Sequence, residues 1–421
     1  MFRPVTEITI TQVQKATDDP NNPRNKVFFF NFCNQFSVNT SWVDITNDVK
    51  IIFPKNVYVK DKDGISQPLG GIQSSVQVND LFQRGDKIMI KYGYLETTPQ
   101  PNLIFEGFIS KVTSKKPIQL ECEDSMWILK QTPFNPTSNG NPIKVLSAST
   151  AIQTYLAPIL ATKGLTVDTK ALMYAGNLLI ENETVAQFLM RLRKEFHIES
   201  FFVGTKLIIG FDPYLSITPN PEVYKFTFQK NIISDDLDWQ RKDDVKLSAV
   251  VQCINTSFGG YNKKGEVKTK KEHLSVLVSN LGDKWVSQVK VKGVELPENQ
   301  EGERRTLFFP STLDEQALAL LPEAEKQAYL KTHTVTTDTL IALGIATLQK
   351  YYYTGFKGKF TTFAHPLVKI GDSIYIQDVR MPDRNGYYNV KAVEYTGGVN
   401  GHRQIITLDY QLISTIKKTP K

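Results

Sequence analysis

Cysteine is scarce in this sequence, and the few cysteines form no recognisable framework. The 421 residues include Cys33, Cys122 and Cys253, which stand far apart, each inside an apolar run. An odd and unclustered set of cysteines supports neither a disulfide framework nor a zinc site. We therefore expect buried thiols in a chain made in a reducing compartment.

Long apolar runs are also missing. No window approaches the roughly 18 consecutive apolar residues of a membrane-spanning helix, and residues 1–7 lack the apolar core of a secretory signal. We expect a chain with no membrane anchor that is not exported by that route.

The signatures of common enzymes are absent from the sequence as well. It contains no G-x-S-x-G, H-E-x-x-H, H-x-E with C-x-x-C, Walker loop or G-x-G-x-x-G. The five histidines are scattered without the spacing of metal ligands: His197, His273, His333, His365 and His402. The sequence thus predicts no enzyme and no catalytic, cofactor or metal site.

Two acidic groups could still carry chemistry. Glu123 and Asp124 could serve glycoside hydrolysis, but neighbours on a strand point to opposite faces, so a surface or turn role is favoured. A second group could bind a cation: Asp235, Asp236, Asp238, Asp243 and Asp244. Because it lacks the D-x-D-x-D-G calcium loop, we expect a solvated turn there.

Net charge favours no particular partner. The formal charge of +7 comes from 50 basic and 43 acidic residues, which is mild for this length. Lysines between 263 and 271 accompany three glycines, a composition typical of a mobile loop or a hairpin tip. These lysines could touch DNA or an acidic protein, but a solvated loop is favoured because strong phosphate contacts would impede sliding DNA.

The most informative positive feature is a repeat. Gly85-Asp86 precedes the alternating run 87–90, a second strand that Gly107 is predicted to open follows within 105–109, and an I-x-L run closes the unit at 118–120. The same order returns with Gly371-Asp372, the runs 373–376 and 386–390, and Ile406-Thr407-Leu408. Each copy predicts a Gly-Asp turn that begins a strand, followed by two further strands. The chain therefore contains two similar β units.

The first third has the rhythm of a barrel or a sandwich. Short alternating runs separated by Pro, Gly and Asn or Asp occupy residues 8–13, 26–32, 49–53, 57–60, 75–78, 88–92, 103–112 and 118–122. The proline-rich stretch 132–142 predicts a boundary because proline removes backbone donors. The first domain is predicted to span 1–131.

The next segment changes character and predicts a small α/β domain over 143–211. Apolar spacing indicates a helix over 149–160, interrupted by Pro158, and Thr184 with Gln187 fits a capping box at the start of a second helix. Gly204-Thr205 suits a type II′ hairpin turn between two apolar runs.

Strands resume after residue 212 and are then interrupted. Runs at 224–228 and 247–254 predict early strands of a second barrel, whose late strands follow residue 355. Between them, residues 255–354 form an inserted segment of strands and two helices, at 322–330 and 339–352. The second, split barrel is thus predicted over 212–254 and 355–421.

This order of parts resembles the baseplate hub proteins of contractile tails, also called late control proteins. The resemblance covers nearly the whole chain and rests on patterns of apolar and glycine positions at residues 105–109, 120–124, 226–233, 337–350 and 369–390. It implies a β-rich multidomain fold with two similar β-barrels, a small α/β domain and an inserted domain, assembled as a trimeric ring.

The same resemblance implies a function. Hub proteins of this family form homotrimers whose six barrels make a pseudo-sixfold ring around a channel, matching a hexameric tail tube on one face and a trimeric spike on the other. Partners would be the tube protein, a separate spike protein and other baseplate proteins, with DNA or tape-measure protein passing through. The chain would belong to a virion tail baseplate, assembled in the host cytoplasm and encoded by a phage or prophage.

One alternative comes from the α/β segment. A strand, two helices and a strand resemble the LysM glycan-binding module, and residues 178–184 resemble the entry to its helix. That resemblance implies a peptidoglycan-binding or peptidoglycan-hydrolase component of a tail or secretion machine.

Overall fold

The structure is a computed structural model that describes residues 3–15, 18, 23–54, 58–61, 66–68, 81–97, 100–113, 117–138, 141–143, 145–146, 152–169, 178–196, 198–210, 220, 222–289, 303–308, 318 and 320–412. It is β-rich, as the sequence predicts. The predicted run 75–78 lies outside the described residues.

The first third forms nine strands, all in one large sheet. They are β1 (Pro4–Thr11), β2 (Val27–Phe30), β3 (Gln35–Ser41), β4 (Asp48–Ile52), β5 (Tyr58–Asp61), β6 (Ser66–Pro68), β7 (Lys87–Tyr94), β8 (Asn102–Thr113) and β9 (Gln119–Glu123). Alternate residues of β7 are buried, with Ile88, Ile90 and Tyr92 fully inside, which is the half-buried pattern that the sequence predicts.

The middle of the chain forms a separate small unit. Its elements are α1 (Met126–Leu129), β10 (Thr137–Ser138), β11 (Asn141–Pro142), β12 (Val145–Leu146), α2 (Ile152–Ala161), β13 (Thr166–Asp168), β14 (Leu178–Leu179), α3 (Val185–Phe196), β15 (Glu199–Val203) and β16 (Lys206–Gly210). The predicted capping box is present, since Thr184 N–H donates to Gln187 Oε1 at 2.8 Å and Gln187 N–H to Thr184 Oγ1 at 3.3 Å. The predicted hairpin joins β15 and β16, with φ of 61° at Gly204.

The last part of the chain contains the second unit and an insert. Its elements are β17 (Tyr224–Thr227), β18 (Ile232–Gln240), β19 (Leu247–Tyr261), β20 (Val267–Leu281), β21 (Lys284–Val289), β22 (Glu303–Phe308), α4 (Glu323–His333), α5 (Thr337–Gln349), β23 (Gly355–Phe363), β24 (Ser373–Gln377), β25 (Gly386–Gly398) and β26 (Arg403–Leu412). Both predicted helices are present as α4 and α5.

Strand β19 differs from its predicted place. It pairs with β20 and β22 in a four-stranded sheet covered by α5, with Val251, Val278 and Leu340 in a shared core. The apolar run 247–254 therefore packs into this small sheet, while the large sheet receives β18 instead. The predicted domain limits stay predictions.

The two β units have the same order of strand pairing. In the first, β3, β4, β9, β8 and β7 are neighbours in that order; in the second, the order is β18, β23, β26, β25 and β24, and all these pairings are antiparallel. The next strand in each unit differs in direction: β1 runs antiparallel to β7, whereas β17 runs parallel to β24.

Individual registers match across the copies. One ladder of facing residues crosses the first unit: Val112, Leu120, Ile51 and Phe36. The same ladder crosses the second unit: Val393, Ile406, Phe360 and Asp235. A register shift follows Ile109 in β8 and Val390 in β25. Duplication therefore extends to single positions and to the bulge.

Neither copy closes into the predicted barrel within the described residues. The sheet has 15 strands and runs open from β18 to β6, because the C-terminal half of β25 pairs with β3 of the other unit. One hydrophobic core consequently spans both units, including Phe36, Tyr92, Tyr388 and Tyr395.

Candidate assembly interface

The junction between the two units is a strand pairing. One edge of β3 pairs with β4, and the other pairs with β25 over seven facing residues, from Ser41 opposite Ala392 to Gln35 opposite Gly398. Side chains add to the ladder, since Ser37 Oγ donates to Glu394 Oε1 and Thr40 Oγ1 donates to the Val393 carbonyl, each at 2.9 Å. The backbone N–H and C=O groups of the two edges therefore form hydrogen bonds with each other.

Glycine allows the two backbones to approach at the end of this junction. A Cβ on Gly397 would lie 2.3 Å from the ring of Phe36, which is fully buried. Gly398 has φ of 125°, and a Cβ there would lie 2.2 Å from the carbonyl oxygen of Asn34. Neither position has room for a larger residue.

A buried histidine fills the gap between β1, β7 and the β25–β26 turn. His402 is 2% exposed, its Nδ1 lies 3.1 Å from the Gly93 carbonyl, and its Nε2 lies 2.9 Å from Thr6 Oγ1. The carbonyl can only accept, so Nδ1 carries the proton and Nε2 accepts from the threonine hydroxyl. Burial lowers the pKa of His402 to about 4, which keeps the ring neutral.

The two Gly-Asp turns have the same hydrogen bonds. Gly85 N–H donates to the Ile109 carbonyl at 2.7 Å, and Ile109 N–H donates back to the Asp86 carbonyl at 2.9 Å. Gly371 and Asp372 make the corresponding bonds with Val390 at 3.0 and 2.9 Å. Positive φ angles of 97° and 83° at the two glycines explain the glycine in each copy.

Each turn also buries its carboxylate, with one difference. Asp86 Oδ2 accepts from Gln83 N–H, and Asp372 Oδ2 accepts from Lys369 N–H, both at 2.8 Å. Burial raises the pKa of both carboxyls above the ordinary value. Only Asp86 has a buried ion pair here, with Arg24 Nη2 at 2.6 Å.

Of the strand edges that are unpaired within the described part of the chain, two lie at the places that β3 and β25 occupy in the other β unit. Strand β18 lies at the end of the large sheet and pairs only with β23 along residues 234–240. In β8, the residues after the bulge pair with β9 alone, although the corresponding half of β25 has β3 on its other side. Unpaired edges are ready templates for another strand.

The acidic group predicted as a turn lies largely on the β18 edge. Asp235, Asp236 and Asp238 are exposed members of the strand, so the turn prediction is wrong for them; Asp243 and Asp244 lie in a short 3₁₀ turn. The strand was not predicted because its polar sequence lacks the apolar alternation on which strand prediction depends. No group of three potential metal ligands occurs among the described residues.

The pair Glu123 and Asp124 has a structural place. Glu123 Oε2 contacts Lys130 Nζ at 2.6 Å at the surface. Asp124 is buried; its carboxylate accepts from Met126 N–H at 2.9 Å and Asn47 N–H at 3.1 Å, which fixes the start of α1. Burial raises the pKa of Asp124 to about 7. The two carboxyls do not face a common space.

The remaining predicted positions are dispersed. His273 and His365 are exposed, His333 contacts the Tyr329 carbonyl, and His197 lies outside the described residues. The lysine-rich segment is a hairpin tip between β19 and β20, as predicted, and it exposes Lys263, Lys264, Lys268 and Lys270. The three cysteines are buried, as predicted, and burial raises the pKa of each thiol.

The described residues of the α/β unit do not test the prediction of glycan binding. Strand β14 pairs with β12, and Glu183 forms a partly buried ion pair with Arg191. A cleft of about 510 Å³ lies between the β15–β16 hairpin and both units, and two of the three acids that line it, Asp124 and Asp372, already accept backbone hydrogen bonds; the third is Glu106. Glycan binding stays a prediction.

In the described ranges, no helix has the length and hydropathy needed to cross a bilayer. No family profile and no curated protein matches the sequence.

Solved structures of tail proteins align with nearly the whole chain at low identity. A tail protein from Neisseria meningitidis MC58 has 12% identity and a TM-score of 0.49, with 97% of this chain and 96% of that one covered. A 43 kDa tail protein of prophage MuSo2 from Shewanella oneidensis has 10% identity and a TM-score of 0.47, with coverage of 96% and 98%. A prophage tail protein, gp18, from Listeria monocytogenes EGD-e has 7% identity and a TM-score of 0.44, with coverage of 96% and 95%.

Proposed function

We propose that this chain is a non-enzymatic structural protein, the baseplate hub of a phage tail or a related contractile injection device. The observation that carries the proposal is the duplicated sheet, whose two copies are joined edge to edge by β3 and β25. A chain with two similar units supplies two similar positions in a ring, and three chains supply six.

The mechanism is symmetry matching. A homotrimer with six similar units around a channel presents a pseudo-sixfold face to a hexameric tail tube and a threefold face to a trimeric spike. The continuous core across the junction supports the transfer of load between units, because neither unit can shift without disrupting Phe36, Tyr92 and Tyr395.

The partners follow from this role. The tube protein binds one face, a separate spike protein binds the other, and additional baseplate proteins contact the outer surface. DNA or tape-measure protein passes through the channel. The assembly belongs to the virion tail baseplate, is built in the host cytoplasm and is encoded by a phage or prophage.

The number of chains in the particle tests the proposal. Sedimentation equilibrium over a concentration series up to the solubility limit is expected to show a species with three times the mass of the 421-residue chain. A single-chain mass at every concentration would contradict the ring, as would a dimer as the largest species.

A further inference from the structure

We infer that the β18 edge of one copy pairs antiparallel with the end of β8 beyond its bulge, residues 111–113, in the next copy. The inference rests on the proposed ring and names the two surfaces that close it. Inside one chain, β3 already pairs with the C-terminal half of β25. Strand β18 is the copy of β3, and β8 is the copy of β25, so the contact between chains repeats the contact within a chain.

The matched ladders give the register of this contact. Asp235 occupies the position of Phe36, so Trp239 and Asp238 occupy those of Thr40 and Asn39. Val112 likewise occupies the position of Val393, so Thr113 occupies that of Glu394. In the chain, Thr40 faces Val393 and Asn39 faces Glu394. Between chains, Trp239 therefore faces Val112, and Asp238 faces Thr113.

Both edges are accessible for such pairing in a single copy. Among the described strands, none covers β18 along residues 234–240 on the side away from β23, and none covers β8 beyond its bulge on the side away from β9. Their backbone N–H and C=O groups on those sides remain open to a strand from another chain.

The charges of the edges favour the pairing of β18 with β8 over the pairing of two β18 edges. Exposed Asp235, Asp236 and Asp238 make the β18 edge acidic. On the β8 edge, Lys111 is 63% exposed and forms an ion pair with Glu121 at 3.1 Å, so this edge lacks the run of acidic side chains found on β18. Two β18 edges facing each other would bring like charges together, which opposes a twofold dimer, whereas β18 opposite β8 avoids that repulsion.

Pairing of two different edges has a consequence for assembly. Each copy has one acidic β18 edge and one β8 edge, so every added copy offers the same pair of edges again. Such a head-to-tail contact closes into a ring when its rotation matches that of the junction within the chain. In the proposed trimer the ring has six such contacts, three within chains and three between them.

Engineered cysteines test the register. The variant with Thr113→Cys and Asp238→Cys places thiols on residues directly opposite each other, where Cβ atoms in a sheet are about 4.5–5.5 Å apart. Native Cys33, Cys122 and Cys253 are buried and do not compete. Mild oxidation is expected to link chains up to a trimer. A matched control combines Thr113→Cys with Asp243→Cys, which lies outside β18 and is exposed.

The outcomes separate the edge assignment from the proposed function. A trimer by sedimentation that is cross-linked by the first variant and not by the control supports the assignment. A trimer that the first variant links no better than the control overturns the assignment and leaves the hub function standing. Chains that neither sediment as a trimer nor cross-link overturn both.

Charge reversal gives a second readout on the folded protein. Asp238→Lys is expected to raise the dissociation constant of the trimer about five- to tenfold at low salt, and Lys111→Glu in the same chain is expected to restore part of the affinity. The control Glu325→Lys, at an exposed position of α4 in the insert, is expected to leave the constant unchanged. Equal effects of Asp238→Lys and Glu325→Lys would overturn the assignment.

Discussion

Thr6 Oγ1 and His402 Nε2 lie 2.9 Å apart although 396 residues separate them in the chain. The contact joins β1 of the first unit to the β25–β26 turn of the second, and Tyr94 Oη donates to the His402 carbonyl at 3.1 Å beside it. Thr6 Oγ1 can donate to Nε2 only while the imidazole is neutral.

Acid is expected to loosen this contact. The folded pKa of His402 is about 4, below its ordinary value of 6.5, so the unfolded chain binds more protons between those values. Stability from this group is therefore present above pH 6.5 and is lost as the pH falls toward 4. Between pH 7 and 5 the loss is about 2 kcal/mol by linkage. Urea unfolding at both pH values measures it.

The comparison with His402→Gln isolates the histidine from other titrating groups. Asp124, whose pKa is raised to about 7, acts in the opposite direction, because its folded form gains a proton as the pH falls through 7. The variant should lose the acid-dependent part that belongs to His402. An unchanged pH dependence in His402→Gln would contradict the account.

Two equivalent carboxylates should have unequal effects. Asp86→Asn removes the buried carboxylate that Arg24 contacts, and the free energy of unfolding should fall by about 3–5 kcal/mol. Asp372→Asn weakens the same type of turn without a buried ion pair, and the loss should be about 1–2 kcal/mol. Denaturant unfolding of both variants checks the order; equal losses would show that the ion pair adds nothing.

The junction should not tolerate a methyl group at Gly398. Gly398→Ala combines a left-handed φ with a clash against the Asn34 carbonyl, so a loss of about 3 kcal/mol is expected. Gly265→Ala is the matched control, because its φ is 79° and its Cβ would meet open space; it should lose about 1 kcal/mol. Thermal unfolding of both variants distinguishes clash from strain, and similar losses would contradict close approach at the junction.

The capping box at α3 should contribute measurably to the α/β unit. Thr184→Ala removes the hydroxyl that accepts from Gln187 N–H, and a loss of about 1 kcal/mol is expected. Thr184→Ser keeps the hydroxyl and should retain most of the stability. Hydrogen exchange of the first turn of α3 measures the effect locally, and equal protection in the two variants would count against the cap.

Patterns that depend on local chemistry were predictable from the sequence. The Gly-Asp turns, the capping box at Thr184 and the hairpin at Gly204 each require particular residues for backbone reasons, and the structure contains all of them. One glycine was misread, because Gly107 lies inside β8 rather than at its start.

Strands stabilised by their neighbours were not predictable. Neither β3 nor β18 was found, because QFSVNTS and IISDDLDWQ are rich in polar residues and lack a clear apolar alternation. Pairing with β25 and β23 holds them in place, and that information lies more than one hundred residues away. Likewise, the apolar run in β19 predicted a strand but did not show that this strand belongs to the small four-stranded sheet. One of the two missed strands, β3, forms the junction between the units, and the other, β18, forms the proposed edge.

A reconstruction of the assembled particle by electron cryomicroscopy tests the central claim most directly. The account predicts three chains that present six similar sheets around a channel, with β3–β25 junctions alternating with β18–β8 contacts. A closed twofold dimer would contradict it, as would a ring to which each chain contributes only one of its two units.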